Sequence, residues 1–318
     1  MISVVIPLYN KAHTIFDTLK TVIAQSFTDF EIVIVDDGST DDSVKVIQDF
    51  LLDKRLRVIS QTNKGVSAAR NKGVEESKFE LIAFLDADDK WFPDYLKKMV
   101  ETIHKFPDFA MYNCAGIVRN ADNSKFNRIA NKYKDRICEI NFFENPHVFL
   151  HTSATIVNKS EFNKVKGFPI GMKRNQDLAL FYSVALNGKV AYCGYPLSIY
   201  IGGVAGQSTS TPFIKVMEHI AKRYNHVHHN YLVTTRKNSN YLIFLKYELR
   251  HFFKTILIQK GNKVPEDLLN LLDSSIVKQF SYFEFLFYKN RILKPFAIMY
   301  INITKLRWRL RGYPRFNS

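Results

Sequence analysis

Ile2-Ser3-Val4-Val5-Ile6-Pro7-Leu8-Tyr9-Asn10 and Phe30-Glu31-Ile32-Val33-Ile34-Val35-Asp36-Asp37-Gly38 are two apolar, largely β-branched runs, each ending abruptly in polar groups. Such runs are the mark of strands buried on both faces of a parallel sheet. Between them Ala12, Ile15, Phe16, Leu19, Val22 and Ile23 recur at helical spacing. After the second run, Ser39, Thr40 or Asp41 can cap a helix carrying Val44, Val46, Ile47 and Leu51. Residues 56–59 read as a third strand, 65–76 as a helix and 81–85 as a fourth strand, which ends at Asp86-Ala87-Asp88-Asp89. Strand and helix in alternation predict an α/β fold: a doubly wound, mostly parallel sheet with flanking helices.

In such sheets ligands bind beyond the carboxyl ends of the strands. The first turn carries no glycine-rich phosphate fingerprint, which disfavours a dinucleotide fold. The strand ends are acidic instead. Asp86 and Asp88, two residues apart, can divide two tasks: one holds a ribose hydroxyl and the other Mg²⁺ or Mn²⁺, hard cations that prefer oxygen. Asp89 can cap the helix that follows Pro93. Asp37 can accept the N–H of a pyrimidine base or serve an Asp-Gly turn. Tyr9 can stack on a base or fill the core, and Pro7 and Asn10 flank it.

Further along, residues 153–157 and 191–195 read as strands and 176–186 as a helix. From Phe213 the composition changes. The chain has a formal charge of +15, and +13 of it lies in residues 213–318, with 19 Lys and Arg against 6 Asp and Glu. The asymmetry divides the chain into a near-neutral body, 1–212, and a basic, aromatic-rich helical region, 213–318. Tyr241, Leu242, Leu245, Leu249, Phe252, Phe253 and Ile256 mark its clearest helix, with Lys246, Arg250 and Lys254 opposite. No apolar run reaches the roughly 18 to 20 residues that span a bilayer. Met1 leads straight into the first strand, so no leader is expected. Cys114, Cys138 and Cys193 lack metal spacing and predict free thiols in a reducing, cytoplasmic compartment. His226, His228 and His229 fit no standard ligand pattern and read as solvated surface histidines.

Four segments taken together resemble the family-2 glycosyltransferases: Ile6-Pro7-Leu8-Tyr9-Asn10, Val35-Asp36-Asp37-Gly38-Ser39-Thr40-Asp41, the stretch Asn63-Lys64-Gly65-Val66-Ser67-Ala68-Ala69-Arg70-Asn71-Lys72-Gly73, and Phe84-Leu85-Asp86-Ala87-Asp88-Asp89. The resemblance is dense over residues 1–95 and sparse over 150–210. It implies a GT-A fold and inverting transfer from a UDP-sugar. On that reading Pro7, Tyr9 and Asp37 surround uracil, Arg70 approaches the donor, Asp86 holds ribose and Asp88 the metal, Mn²⁺ or Mg²⁺. The family's Gly-Gly-Phe and Glu-Asp segments correspond to Lys166-Gly167-Phe168 and Gln176-Asp177. Asp177 is then the base that deprotonates the acceptor hydroxyl, or else it caps its own helix. The acceptor implied is a glycan or lipid-linked saccharide of cell-surface polysaccharide assembly.

Two departures stand out. Residues 200–208 hold neither the Arg nor the His of the family's closing Arg-x-His-x-x-Ser stretch, and the Gln-x-x-Arg-Trp motif of processive synthases is absent, so one sugar per visit is expected. Gln176 and the missing His favour the alternative, an inactive GT-A scaffold; four carboxylates around one crevice argue against it, since unpaired they repel. For residues 213–318 three readings stay open. They are docking on an anionic membrane, at about 1 kcal/mol per basic residue near the surface, a homo-oligomer interface, and helices packed on the catalytic body. No nucleic-acid motif is present.

Overall fold

The computed structural model describes residues 1–120, 122, 124–129, 131–144, 150–202, 213–235, 237–259, 263–290 and 292–310. Residues 203–208 of the closing stretch, the expected boundary at Thr211-Pro212, the side chains of Trp308 and Arg309, and Arg311 lie outside the described residues. The chain divides into two compact units, Met1–Ile140 with Val148–Ser210, and Asn141–His147 with Thr211–Ser318.

The first unit runs Ile2–Leu8 (β1), Ile15–Ile23 (α1), Phe30–Asp36 (β2), Ser43–Val46 (α2), Leu56–Ser60 (β3), Val66–Glu76 (α3), Leu81–Phe84 (β4), Lys90–Trp91 (β5), Tyr95–Lys105 (α4) and Met111–Arg119 (β6). It continues through Lys125–Arg128 (β7), Ile137–Ile140 (β8), Thr155–Asn158 (β9), Lys159–Lys164 (α5), Gln176–Asn187 (α6) and Val190–Ile201 (β10). One sheet orders them β3-β2-β1-β4-β9-β6-β10-β5, with β7 on β6 and β8 on β10. β3, β2, β1 and β4 are parallel, with Val4 opposite Ile32 and Ala83. β9 runs antiparallel to β4 and β6 and turns the sheet from the first half to the second.

Every residue of β1 and β2 is buried, because helices cover both faces. Val4, Ile6 and Leu8 join Ile15, Leu19 and Val22 of α1 in the larger core. Val33 and Val35 meet Ala69 of α3 on the other face. Each such burial stabilises by about 1.5–3 kcal/mol. Gly73 lets α3 lie close on the sheet, since a β-carbon there would stand 2.3 Å from Val5 Cγ1. Parallel strands end on one side, so residues 8–9, 36–37 and 85–88 emerge together. Asp37 N–H donates to Leu8 O at 2.8 Å and Leu85 N–H to Val5 O at 3.1 Å, fixing those ends to one another.

The second helix expected from the sequence, carrying Val44, Val46, Ile47 and Leu51, is shorter than its periodicity implies. α2 makes a single turn and passes into a 3₁₀ turn at Gln48–Leu52, where Leu51 and Leu52 are exposed. With those two side chains unburied, nothing holds a longer α-helix in place.

The second unit is helical: Phe213–Val233 (α7), Tyr241–Gln259 (α8), Lys263–Leu271 (α9), Ser274–Val277 (α10), Tyr282–Lys289 (α11) and Lys294–Leu310 (α12). Its interior is aromatic, with Phe143 against Tyr241 and Phe244, and Phe253 stacked on Tyr288. Buried ion pairs cross it, Arg223 with Glu248 and Arg250 with Glu284. Of the three clustered histidines, His229 is exposed and His226 partly buried. His228 corrects the surface reading: it is buried against the rings of Tyr231 and Tyr241. Among the described residues no helix is long and apolar enough to cross a membrane.

Candidate active site

A cavity of about 610 Å³ opens at the carboxyl ends of β1, β2 and β4. Pro7, Tyr9, Asp37, Arg70, Asp86, Asp88 and Asp177 all line it. Asn10 does not. Its backbone is left-handed, its N–H donates to Ser39 Oγ at 3.1 Å, and its Oδ1 accepts from Thr40 N–H at 2.8 Å. Asn10 therefore ties the loop after β1 to the loop after β2. Tyr9 is 45% exposed at the cavity and is no core aromatic.

Each carboxylate has its own partners. Asp37 is buried: Oδ1 accepts from Gln61 Nε2 at 2.7 Å and Lys64 N–H at 2.8 Å, and Oδ2 from Gly65 N–H at 2.8 Å. It thus sits at the N-terminus of α3, where free amides and the helix dipole favour an anion. Asp86 Oδ1 accepts from Arg70 Nη2 at 2.5 Å. Arg70 is no surface arginine; it is 4% exposed and packed over the Phe168 ring at 5.0 Å, and among the described residues its Nε and Nη1 have no partner. Asp88 Oδ2 accepts from Lys11 Nζ at 2.7 Å.

Asp89 does not cap the helix after Pro93; α4 begins at Tyr95, and no side chain caps it. Instead Asp89 is a buried junction. Oδ2 accepts from Ser153 Oγ at 2.5 Å and lies 3.0 Å from His151 Nε2, while Oδ1 accepts from Ile201 N–H at 3.2 Å. Ser153 Oγ also accepts from Asp86 N–H at 3.0 Å, so this junction sets the position of the Asp86–Asp88 turn. Burial pushes the Asp89 carboxyl up, with Asp86 and Asp88 adding to it and His151 opposing. Burial alone would lower His151, but Asp89, Asp86 and Asp177 outweigh it and raise its pKa.

The second half of the cavity comes from the start of α6. Asn175 is its N-cap in a left-handed conformation, so it is Asn175 and not Asp177 that begins the helix. Asp177 stands in the first turn, its Oδ1 accepting from Leu178 N–H at 2.8 Å. The Gln176 Oε1 beside it is buried without a partner. Lys173 and Arg174 add cations to the same rim. Lys166-Gly167-Phe168 has a separate task. Gly167 has φ +70°, and a β-carbon there would stand 2.7 Å from Asn71 Oδ1. That close approach lets Phe168 N–H donate to Asn71 Oδ1 at 2.8 Å while Asn71 Nδ2 donates to Phe168 O at 2.9 Å. The clamp holds Phe168 beneath Arg70.

Lys11, His151 and Ser153 escape sequence reasoning, since their partners lie 77, 62 and 64 residues away. Among the described residues, Asp86, Asp89 and His151 bring ligand atoms within 4.8 Å of one another. Both oxygens of Asp89 are already engaged, which leaves Asp86 and Asp88 as the carboxylates of this turn that line the cavity. Carboxylate oxygens are the donors Mg²⁺ and Mn²⁺ prefer, so the residues present fit a divalent ion, with the Lys11 ammonium as the charge it must displace.

The fold and the sequence both have known counterparts. The chain is similar to the Bacillus subtilis protein EpsH, 35% identical over 136 residues that cover 42% of this chain and 40% of EpsH. It is 31% identical over 147 residues to the glycosyltransferase GlyA of Streptococcus pneumoniae, covering 45% of this chain and 21% of GlyA. The matches thus span two fifths or less of these relatives. In structure it is similar to S. aureus TarS 1–349, crystallised in complex with UDP-GlcNAc, with a TM-score of 0.70 and 18% identity over 96% of this chain and 88% of that one. The sheet with its flanking helices is therefore a GT-A fold, followed by a helical C-terminal region. Residues 3–164, just over half of the chain, match the Glycosyl transferase family 2 model, and the chain belongs to that family.

Proposed function

We propose that residues 1–212 form an inverting, non-processive glycosyltransferase. It moves one hexose or N-acetylhexosamine from a UDP-sugar to a hydroxyl of a glycan or lipid-linked acceptor in cell-surface polysaccharide assembly. The observation that carries this reading is the convergence of Asp37 after β2 and Asp86 and Asp88 after β4 with Asp177 from α6 around one cavity. TarS, which shares the fold, was crystallised with UDP-GlcNAc, and this supports a uridine donor.

Tyr9 offers a ring face to the base at the cavity mouth. Asp37 accepts three hydrogen bonds, and a carboxylate has about four lone-pair sites, so one remains for the uracil N–H. Asp86 leaves Oδ2 for a ribose hydroxyl. The unsatisfied N–H groups of Arg70 supply the donors a diphosphate needs. Asp88, with Asp86 beside it, would hold Mn²⁺ or Mg²⁺. Such an ion, when bound, offsets the charge growing on the leaving diphosphate, an effect worth several kcal/mol. Asp177 takes the acceptor's proton as its oxygen attacks C1 of the donor sugar. The C1–O bond to UDP breaks on the opposite face, and the anomeric centre inverts. A positioned carboxylate base contributes about 10²–10⁴-fold.

The test is calorimetric titration of UDP and a panel of UDP-hexoses, with and without Mn²⁺, into the wild type and Asp88→Asn. Metal-dependent binding that the substitution abolishes is the expected result. Failure of every uridine nucleotide to bind would overturn the donor assignment and put the scaffold reading first.

A further inference from the structure

The second unit carries an unpartnered apolar stripe with a basic pocket along its edge. Phe296, Met299, Ile303, Leu306 and Leu310 of α12 are 46–78% exposed. Their spacing of three and four residues puts them on one face of the helix. At 3.6 residues per turn, Tyr300, Thr304 and Arg307 stand roughly 90° round from the centre of that stripe. These three side chains, with Lys246 and Arg250 of α8, line a cavity of about 250 Å³. Arg250 is committed to Glu284, through Nε at 2.6 Å and Nη2 at 3.0 Å. Among the described residues, Lys246 and Arg307 have no carboxylate partner. α12 itself contains no acidic residue.

We propose that α12 lies in the plane of an anionic lipid surface. The stripe enters the acyl boundary, and Lys246 and Arg307 take a lipid phosphate in the pocket beside it. The two features are what a surface-bound amphipathic helix requires: an apolar face and cations at its border. A second copy of the chain is the competing occupant, since this spacing also suits a helix pair. Charge decides against it. Paired helices rely on opposite charges flanking the seam, and α12 would set cations against cations. A bilayer rich in anionic headgroups supplies the complement.

The experiment is sedimentation of the full chain with vesicles of phosphatidylcholine alone and of phosphatidylcholine mixed with phosphatidylglycerol. Pelleting with the anionic vesicles only, reversed by high salt, is expected. The pairs Ile303→Ser with Leu306→Ser, and Lys246→Glu with Arg307→Glu, should each lower the bound fraction about tenfold or more. Leu306→Gln alone repeats the first arm should a double variant not fold. Absence of pelleting with anionic vesicles would overturn the proposal, as would pelleting left unchanged by both pairs. A dimer in analytical ultracentrifugation that Ile303→Ser with Leu306→Ser dissolves would assign the stripe to a second copy instead.

Discussion

Lys11 Nζ lies 2.7 Å from Asp88 Oδ2, so the carboxylate proposed to hold the metal is paired with a cation. The pair joins the loop after β1 to the turn after β4, and both side chains are mostly buried. The ammonium keeps Asp88 from repelling Asp86 and Asp89 in the absence of a donor. On the proposed reading, a divalent ion held by Asp88 would take the place of this ammonium, leaving Lys11 to face the donor phosphates.

Lys11→Met should therefore make nucleotide binding more dependent on metal. UDP affinity without Mn²⁺ falls, because a cation has gone, while Mn²⁺ affinity rises several-fold, because a competitor has gone. Calorimetry in both conditions reads the two effects separately. Equal loss of affinity with and without Mn²⁺ would show that Lys11 does not compete with metal at Asp88.

Ser153→Ala removes the hydroxyl shared by Asp86 N–H and Asp89. Leaving such buried groups unsatisfied costs about 1–3 kcal/mol. The expected outcome is a lower denaturant midpoint with an unchanged slope, and weaker UDP binding because the Asp86–Asp88 turn loosens. Unaltered stability would mean that His151 and Ile201 N–H suffice to hold Asp89.

Gln176→Glu tests why an amide stands beside the proposed base. A second carboxylate next to Asp177 disfavours ionisation of both. The acid limb of the pH–rate profile should move to higher pH, with the alkaline limb unaffected. An unmoved acid limb would mean that residue 176 faces away from Asp177.

The acid stability of the first unit should depend on Glu31. Burial works against its charge, but hydrogen bonds from Ser3 Oγ and Lys78 N–H and the Arg57 guanidinium hold its pKa below the ordinary 4.5. A carboxylate depressed on folding contributes stability above its unfolded pKa and loses it as pH falls through the folded one. Urea midpoints should thus drop as pH falls below about 4.5, and Glu31→Gln should flatten that limb while lowering stability at neutral pH. A Glu31→Gln variant with the wild-type acid slope would remove Glu31 from the account.

Much of this fold is legible in the sequence because burial on both faces writes itself as continuous β-branched runs. β1, β2 and β4 could be placed to within a residue or two, and their ends led to Asp37, Asp86 and Asp88. What stayed hidden depends on distant contacts. Asp89 follows a pattern that suits a helix cap, yet Ser153, His151 and Ile201 claim it from later in the chain. Arg70 looks like any helix-surface arginine until Phe168, clamped by Asn71, is found beneath it. His228 lies in a polar stretch, but the rings of Tyr231 and Tyr241 bury it. Asn10 stands inside a motif of binding residues, yet its side chain accepts from Thr40 N–H and does not line the cavity.

Asp177 is the proposed base of a direct displacement. Its most direct test is release of UDP from the UDP-hexose that binds best, measured for the wild type and Asp177→Asn alongside donor affinity. The account predicts donor affinity within about twofold of wild type and a rate lower by about 10²–10⁴. A rate near that of the wild type, with the donor bound equally well, would contradict it.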